Sequence, residues 1–381
     1  MKKEKITIIG CGLIGGSIAL ALRHKRAHSS LACLDLPERL PAIREAGIPC
    51  EAGTLEDLGT HIPDSSLVLL ATPVQKIPEM IARLRSFVRP GLIISDVGST
   101  KKHIMTRARE LLPPDVHFVG GHPLAGSELS GVEAADALLF SDRVYLLCPY
   151  PHTPPDSLLK LMDLAEDLLA LPLTMDPEEH DRMMALVSHL PQIISVALMH
   201  AAHAGDASHA MLDKLSGRGF LDMTRLAASS FGIWQGILET NREAIEESLD
   251  RFEGSLSLLR QALSKGDAGG IWEETGRLRR KLGPESSSRP RKPDLRGSID
   301  RYDKQILAAL GHRMHAVRRM GRLKASRSMS VIDPDRERRM MRQREEWRDS
   351  LGLPPGLIEE IFEVILRHSS RIQSETLGQE R

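Results

Sequence analysis

The chain has 381 residues, with 51 Lys+Arg against 51 Asp+Glu, 41% hydrophobic and 27% charged residues. That length predicts two or three domains, and the composition is that of an ordinary soluble globular protein, which sets aside fibrous and disordered classes. Four cysteines (Cys11, Cys33, Cys50, Cys148) share no metal-ligand spacing, so reduced thiols and no metal site are expected.

The N-terminal stretch "MKKEKITIIGCGLIGGSIALAL" has the basic start and apolar run of a signal peptide. Gly10, Gly12, Gly15 and Gly16 break that run and weaken a membrane-inserting helix. No later stretch reads as an apolar span, so a cytoplasmic protein without membrane association is expected. The same segment reads better as a strand (Ile6, Ile8, Ile9), a glycine turn and a helix. Gly10, Gly12 and Gly15 match G-x-G-x-x-G, which places a pyrophosphate on the helix N-terminus over Leu13 and Ile14. A second strand, "LACLD", ends in Asp35. A carboxylate there accepts from a ribose 2′-hydroxyl and repels a 2′-phosphate, so NAD is the expected cofactor, with Arg39 nearby as a counterweight.

Further strands follow at α/β spacing: "SLVLLATP" (66–73), "GLIISDVGST" (91–100) and "VHFVGGHPLAGSE" (116–128). Their carboxyl ends carry Thr72, Ser99 and His122, which a doubly wound sheet directs toward a ligand crevice. His122 can equally be a turn histidine satisfied by backbone. From about Met175 the pattern turns helical. Asp176 is an N-cap, Pro177 sits at the first helical position, and Pro191 inside the helix predicts a kink beside Ser188 and His189. His189 is open to two readings, site wall or packed core. Downstream, Arg225 and Trp234 fall on helical segments, Arg225 as a carboxylate clamp or an ordinary salt bridge.

The motifs "GCGLIG", "DVGSTK", "GGHPLAGSE", "SHLP" and "DMTRLA", in this order and spacing, resemble prephenate dehydrogenase over residues 1–280. The resemblance implies an α/β Rossmann-type NAD-binding domain (1–172) and an all-α substrate and dimerisation domain (173–282). It also implies NAD-dependent oxidative decarboxylation of prephenate to 4-hydroxyphenylpyruvate by a homodimer, with tyrosine as a feedback ligand. It assigns the substrate's ring hydroxyl to His122 with support from Ser99. A substrate carboxylate goes to Arg225, and the pocket lining to Glu128 and Trp234, with His189 and Gln192 of the kinked helix as further candidate substrate contacts. Where the family often carries a second histidine after "SHLP", this chain has Gln192, which leaves prephenate and arogenate both open as substrates.

"GPESSSRPRKPD" (283–294) reads as a linker, taken as 283–293. Beyond it the charge shifts: residues 289–381 hold 21 Lys+Arg against 14 Asp+Glu, a net of +7. Residues 295–325 form one predicted helix of about 30 residues, roughly 45 Å long, more than so small a domain can cover alone and suited to an intertwined dimer. Its apolar stripe carries Arg296, Arg313 and Lys324. A second helix starts at "IDPDRERRMM" with Asp333 as N-cap, and a third with Ile358, Ile361, Phe362 and Ile365 runs on into Ser369, Ile372 and Gln373. Buried cations need acids or an anionic ligand. Nucleic acid is not the expected partner, because the cations lie on the inner stripe.

Arg296, Arg313, Lys324, Asp333, Arg336, Glu337, Ser369 and Gln373 resemble the all-helical class of chorismate mutase in register over 294–381. The resemblance implies a Claisen rearrangement of chorismate to prephenate. Arg313 and a partner's Arg296 would hold the carboxylates, Lys324 and Gln373 the ether oxygen, and Glu337 the ring hydroxyl. The combined expectation is a bifunctional enzyme of tyrosine biosynthesis. The alternative is an arogenate or cyclohexadienyl dehydrogenase with the tail as a regulatory or dimerisation module.

Overall fold

The structure is a computed structural model describing residues 4–25, 30–125, 130–204, 209–281 and 354–379, with nine single positions between 306 and 340. The chain divides into two compact units, Met1–Pro290 and Arg291–Arg381.

The first unit is built on an eight-stranded sheet: β1 (Lys5–Ile9), β2 (Ser30–Asp35), β3 (Glu51–Thr54), β4 (Leu67–Leu70), β5 (Ile93–Asp96), β6 (His117–Pro123), β7 (Val144–Cys148) and β8 (Leu171–Thr174). Their order is β3-β2-β1-β4-β5-β6-β7-β8, and every neighbouring pair is parallel except β6 with β7. Side chains alternate across a strand, so a sheet covered on both faces needs near-continuous apolar strands. Ile8, Leu67 and Leu69 accordingly join one core with Ile18 and Leu22 of helix Leu13–Lys25, while Ile9, Val68 and Leu70 join the other with Ile77, Ile81 and Ile104. The strand order reverses at β1, between β2 and β4, which opens a crevice at the carboxyl ends of these strands. The sheet runs on to Thr174, past the boundary expected at 172.

The helical part begins as the sequence predicts: Asp176 accepts from the Glu178 and Glu179 amides at 2.9 and 3.2 Å. Helix Pro177–Met184 passes into a π-helical stretch, Ala185–His189, and then into helix Leu190–Ala204. The predicted kink at Pro191 is thus realised as a wide turn. A widened i→i+5 turn absorbs a proline without ending the helix, because the carbonyls ahead of the ring find other partners.

The expectation that no later stretch could span a membrane needs correction. Pro177–Ala204, 28 residues, is long and apolar enough by length and composition. The glutamates of its first turn and Pro191 disguise the run as two shorter pieces. Its inner face, Met184, Ala185, His189, Leu190, Gln192 and Ser195, packs into the helical body, while Leu186, Val187, Val196 and Met199 stay exposed in the single chain. Helices His209–Leu215, Arg218–Thr224, Phe231–Thr240, Arg242–Lys265 and Gly269–Lys281 follow it in the helical part.

In the second unit, helix Leu357–Gln379 is described throughout its length. The predicted 295–325 helix is described only at isolated positions, including Arg313 and Val317, and both are helical. Ser369 is buried and Phe362, Ile365, Ile372 and Gln373 are half-buried, but Ile361, expected on the inner stripe, is 45% exposed.

Candidate active site

The turn after β1 has the form a dinucleotide phosphate needs. Gly10 has φ 93°, and a Cβ there would lie 2.7 Å from the Ala71 carbonyl carbon; a Cβ on Gly15 would lie 2.0 Å from the Gly10 oxygen. Only glycine fits either place. A Cβ on Gly12 would meet nothing within 4 Å, so this position faces open space at the N-terminus of helix Leu13–Lys25, where the first amides lack helical partners. Asp35 lies at the end of β2, with Oδ2 accepting from the Cys11 amide at 2.6 Å and Oδ1 from the Leu36 amide at 2.7 Å. Thr72 Oγ1, at the end of β4, is buried and has no hydrogen-bond partner among the described residues. An open glycine cradle, an amide-oriented carboxylate and an orphaned hydroxyl together fit NAD.

"DVGSTK" and "GGHP" are locked together by one carboxylate. Asp96, at the end of β5, accepts from the Gly98 amide at 2.8 Å and the Gly121 amide at 3.1 Å, and it pairs with the Lys101 ammonium. Both side chains are fully buried. This fixes the carboxyl end of β6, where His122 is half-buried. Among the described residues the hydrogen-bond partner of the His122 ring is His180, at 2.9 Å from Nδ1 to Nε2. It is not Ser99, which is half-buried in the loop beyond Asp96. His180 Nδ1 lies 2.8 Å from Asp181 Oδ1. Asp181 also accepts from the Lys101 amide at 2.7 Å and the Lys102 amide at 2.9 Å.

Burial, followed by the neighbouring His180, Lys101 and His189, pushes the His122 pKa well below the ordinary imidazole value. Burial also lowers His180, against the opposing pull of Asp181. His189, on the π stretch, is pushed down to about 4 by burial. Its Nδ1 accepts from Asn241 Nδ2 at 3.2 Å, the same amide donates to the Asp181 carbonyl at 2.8 Å, and Trp234 meets the ring edge-on with centroids 5.9 Å apart. Thr100 and Thr240 hydroxyls, 2.8 Å apart, tie the β5 loop to helix Phe231–Thr240.

His122, His189 and Trp234 are therefore brought into one network. Gln192 is buried; its Nε2 donates to the Leu226 carbonyl at 2.9 Å, and Oε1 has no partner among the described residues. Arg225 begins the short 3-10 turn Arg225–Ala228 and is exposed in the single chain. Glu128 lies outside the described residues. His180, Asp181, Asp96, Lys101 and Asn241 escaped the sequence reading. The available signal was "EEHD", whose acids read as a helix N-terminus while its His-Asp pair turned inward.

In the second unit, Arg313 donates to Ser369 Oγ at 2.6 Å, and Ser369 donates to the Ile365 carbonyl at 2.6 Å. Gln373 Oε1 is buried with no partner among the described residues. Burial lowers the Arg313 pKa. Arg296, Lys324, Asp333, Arg336 and Glu337 lie outside the described residues.

Three family models match: the nucleotide-binding domain of prephenate dehydrogenase over residues 18–171, its dimerization domain over 176–276, and chorismate mutase type II over 295–374. Prephenate dehydrogenase of Bacillus subtilis is 33% identical over 271 residues, 70% of this chain and 72% of the relative. The chain belongs to the prephenate dehydrogenase family. Cyclohexadienyl dehydrogenase of Zymomonas mobilis is 32% identical over 267 residues, 69% of this chain and 90% of the relative. The crystal structure of Aquifex aeolicus prephenate dehydrogenase with hydroxyphenyl propionate and NAD+ matches with a TM-score of 0.69 at 28% identity, covering 74% of this chain and 99% of that one. This family member thus joins an NAD-dependent oxidoreductase to a chorismate mutase domain, the pairing expected of a bifunctional enzyme of tyrosine biosynthesis.

Proposed function

We propose that the tail converts chorismate to prephenate and the head oxidises that same prephenate, with His122 as the proton acceptor for the ring hydroxyl. The observation that carries the head reaction is a half-buried histidine at the carboxyl end of β6, its pKa held low by burial and by His180, in the sheet whose β1 turn fits NAD. NAD, when bound, accepts the hydrogen and electron pair leaving the ring carbon. His122 takes the hydroxyl proton as that pair leaves. Loss of CO₂ then restores aromaticity and puts an electron pair on the ring oxygen, and His122 returns the proton to it. Ser99 supports the hydroxyl from the β5 loop. Arg225 holds a carboxylate, with Glu128, His189, Gln192 and Trp234 as walls. Gly10, Gly12, Leu13, Ile14 and Gly15 form the phosphate turn, with Asp35 on the ribose and Thr72 beside the nicotinamide half.

In the tail, chorismate is a dicarboxylate rearranged without covalent catalysis, so preorganised donors are the main means available. Arg313 and the partner's Arg296 hold carboxylates. Lys324 and Gln373 donate to the ether oxygen as charge develops there, and Glu337 accepts from the ring hydroxyl. Asp333, Arg336 and Ser369 complete the lining. The Arg313–Ser369 bond and the Gln373 amide oxygen support this reading: a guanidinium reaches Ser369 on helix Leu357–Gln379, and one turn on Gln373 Oε1 is buried with no partner among the described residues.

The working form is a homodimer in the cytoplasm. Support comes from the dimerization-domain match and from apolar side chains left uncovered in the single chain, among them Val187 at 56%, Phe231 at 67% and Trp272 at 66% exposure. The Rossmann-type domain is taken to the end of β8 at Thr174 rather than to 172, followed by the helical domain to 282, the linker 283–293 and the mutase domain 294–381.

NADH formation with prephenate and with arogenate, run side by side with and without tyrosine, tests the head. Chorismate loss without NAD tests the tail. Prephenate turnover above arogenate and NAD-independent chorismate loss are expected. A purified chain inert to chorismate reduces the tail to a binding or dimerisation module.

A further inference from the structure

We infer that His180 and Asp181 are positioning residues for the dehydrogenase reaction, a hydrogen-bonded relay that fixes the His122 tautomer and takes up the charge of its protonated form. The inference rests on His122 as the proton acceptor.

The direction of each bond follows from what its neighbours can donate. Asp181 presents its carboxylate oxygens to two backbone N–H groups, from Lys101 at 2.7 Å and Lys102 at 2.9 Å. An ionised carboxylate only accepts, so His180 Nδ1, 2.8 Å from Oδ1, is the donor of that bond. A neutral His180 then has an unprotonated Nε2. Burial favours that neutral ring. His180 Nε2, 2.9 Å from His122 Nδ1, must accept, and His122 Nδ1 must donate. His122 Nε2 is therefore the nitrogen with the free lone pair. Without His180, either tautomer of His122 could form, and the one with Nε2–H cannot accept a proton at Nε2.

The second role follows from the charge. When the substrate O–H bond breaks and its proton joins His122 Nε2, the imidazolium forms in a site already unfavourable to cations. His180, Lys101 and His189 all face His122, and each lowers its pKa. Asp181 is the acid at the far end of the chain, and Asp96 is occupied by Lys101. The proton on Nδ1 can shift toward His180 Nε2 as the one on His180 Nδ1 shifts toward Asp181, so the positive charge spreads toward a carboxylate. When decarboxylation leaves the electron pair on the ring oxygen, the proton on Nε2 returns to it. No proton is gained or lost over the cycle. The carboxylate is itself held between two elements: its backbone carbonyl accepts from Asn241, and its oxygens cap the start of helix Lys102–Leu111.

The test uses the full chain with His122→Asn, His180→Leu, His180→Gln and Asp181→Asn, assayed for prephenate oxidation, with NAD titration and circular dichroism as controls of folding of the head. The glutamine amide oxygen can reach the place of Nε2 and accept from His122, restoring the tautomer but not the proton shift. His180→Leu is expected to lower kcat on the order of a hundredfold with little change in KM. His180→Gln should recover part of that loss. In ¹⁵N spectra, the His122 signal (assigned by its absence in His122→Asn) should report Nδ1–H in the wild-type chain and move toward Nε2–H in His180→Leu. Asp181→Asn should shift the acid limb of the kcat/KM profile to lower pH, because the imidazolium loses its carboxylate. His122→Asn without turnover, together with His180→Leu of wild-type kcat and unchanged tautomer, overturns the relay alone. His122→Asn with full turnover overturns the proton-acceptor reading on which it rests. Equal losses in His180→Gln and His180→Leu with an unmoved tautomer mean that His180 only fills space.

Discussion

Lys101 and Asp96 form an ion pair with both side chains wholly removed from solvent, and the same lysine's backbone amide bonds Asp181. One residue thus ties the end of β5 to the first helix of the helical body. Breaking such a pair by removing one partner leaves an uncompensated buried charge, at a cost of about 3–5 kcal/mol. Lys101→Met is expected to lower unfolding stability by that order, read from urea titration by circular dichroism. Lys101→Met combined with Asp96→Asn should recover part of the loss, because no charge is then stranded.

In the proposed NAD site, Asp35 is the acceptor for the ribose hydroxyls. Its carboxylate is oriented by the Cys11 and Leu36 amides at 2.6 and 2.7 Å. Asp35→Ala should weaken NAD and narrow the gap to NADP, since both the ribose acceptor and the repulsion of a 2′-phosphate are removed. Titration of both cofactors by intrinsic fluorescence or by NADH and NADPH formation checks this. An unaltered NAD-to-NADP ratio would mean that the ribose is held elsewhere.

The buried histidines make the fold sensitive to acid. His189 is pushed down to about 4, from an ordinary 6.5, by burial, with Asp181 opposing and His180 adding to the shift. A folded-state pKa below the unfolded one means the unfolded chain binds more protons between the two values. The stabilisation is therefore complete above about pH 6.5 and is lost as pH falls toward 4. His189 alone accounts for about 3 kcal/mol over that window. His122 and His180, both shifted in the same direction, steepen the loss. Urea midpoints at pH 7.5 and pH 5 should differ accordingly, and His189→Gln should reduce the difference.

Five of the eight strands, β1, β2, β4, β5 and β6, coincide with segments read as strands to within a residue, whereas β7 ("VYLLC"), equally apolar and buried, and β8 ("LPLT") were not read. β3, "EAGT", was not, because an edge strand of small and polar residues has no apolar pattern to show. The glycine turn and Asp35 were readable because backbone geometry restricts the residue type. His180 and Asp181 were hidden because their role depends on a helix turning its fourth and fifth residues inward while its second and third, Glu178 and Glu179, stay exposed. A sequence lists them as part of an acidic helix start. The π stretch was hidden for a similar reason: Pro191 announces a disturbance, but not how neighbouring carbonyls are satisfied.

The sequence puts the tail's cations on an apolar stripe; of these Arg313 bonds Ser369, and one helical turn beyond Ser369 the Gln373 amide oxygen is buried with no partner among the described residues. If that stripe is completed by ligand, its donors matter most in the transition state. Lys324→Ala removes a charged donor to the breaking ether bond, and losing one such donor typically costs about 2.7–4 kcal/mol, or roughly a hundred- to thousandfold in rate. Gln373→Glu should behave differently. A carboxylate donates only when protonated, so mutase activity should fall at neutral pH and recover toward acid pH. Prephenate oxidation should survive both changes, because the two constellations share no residue. Chorismate consumption measured against pH for both variants decides the matter. A Lys324→Ala enzyme with normal mutase turnover would make those cations structural, and the catalytic reading of the tail would have to be withdrawn.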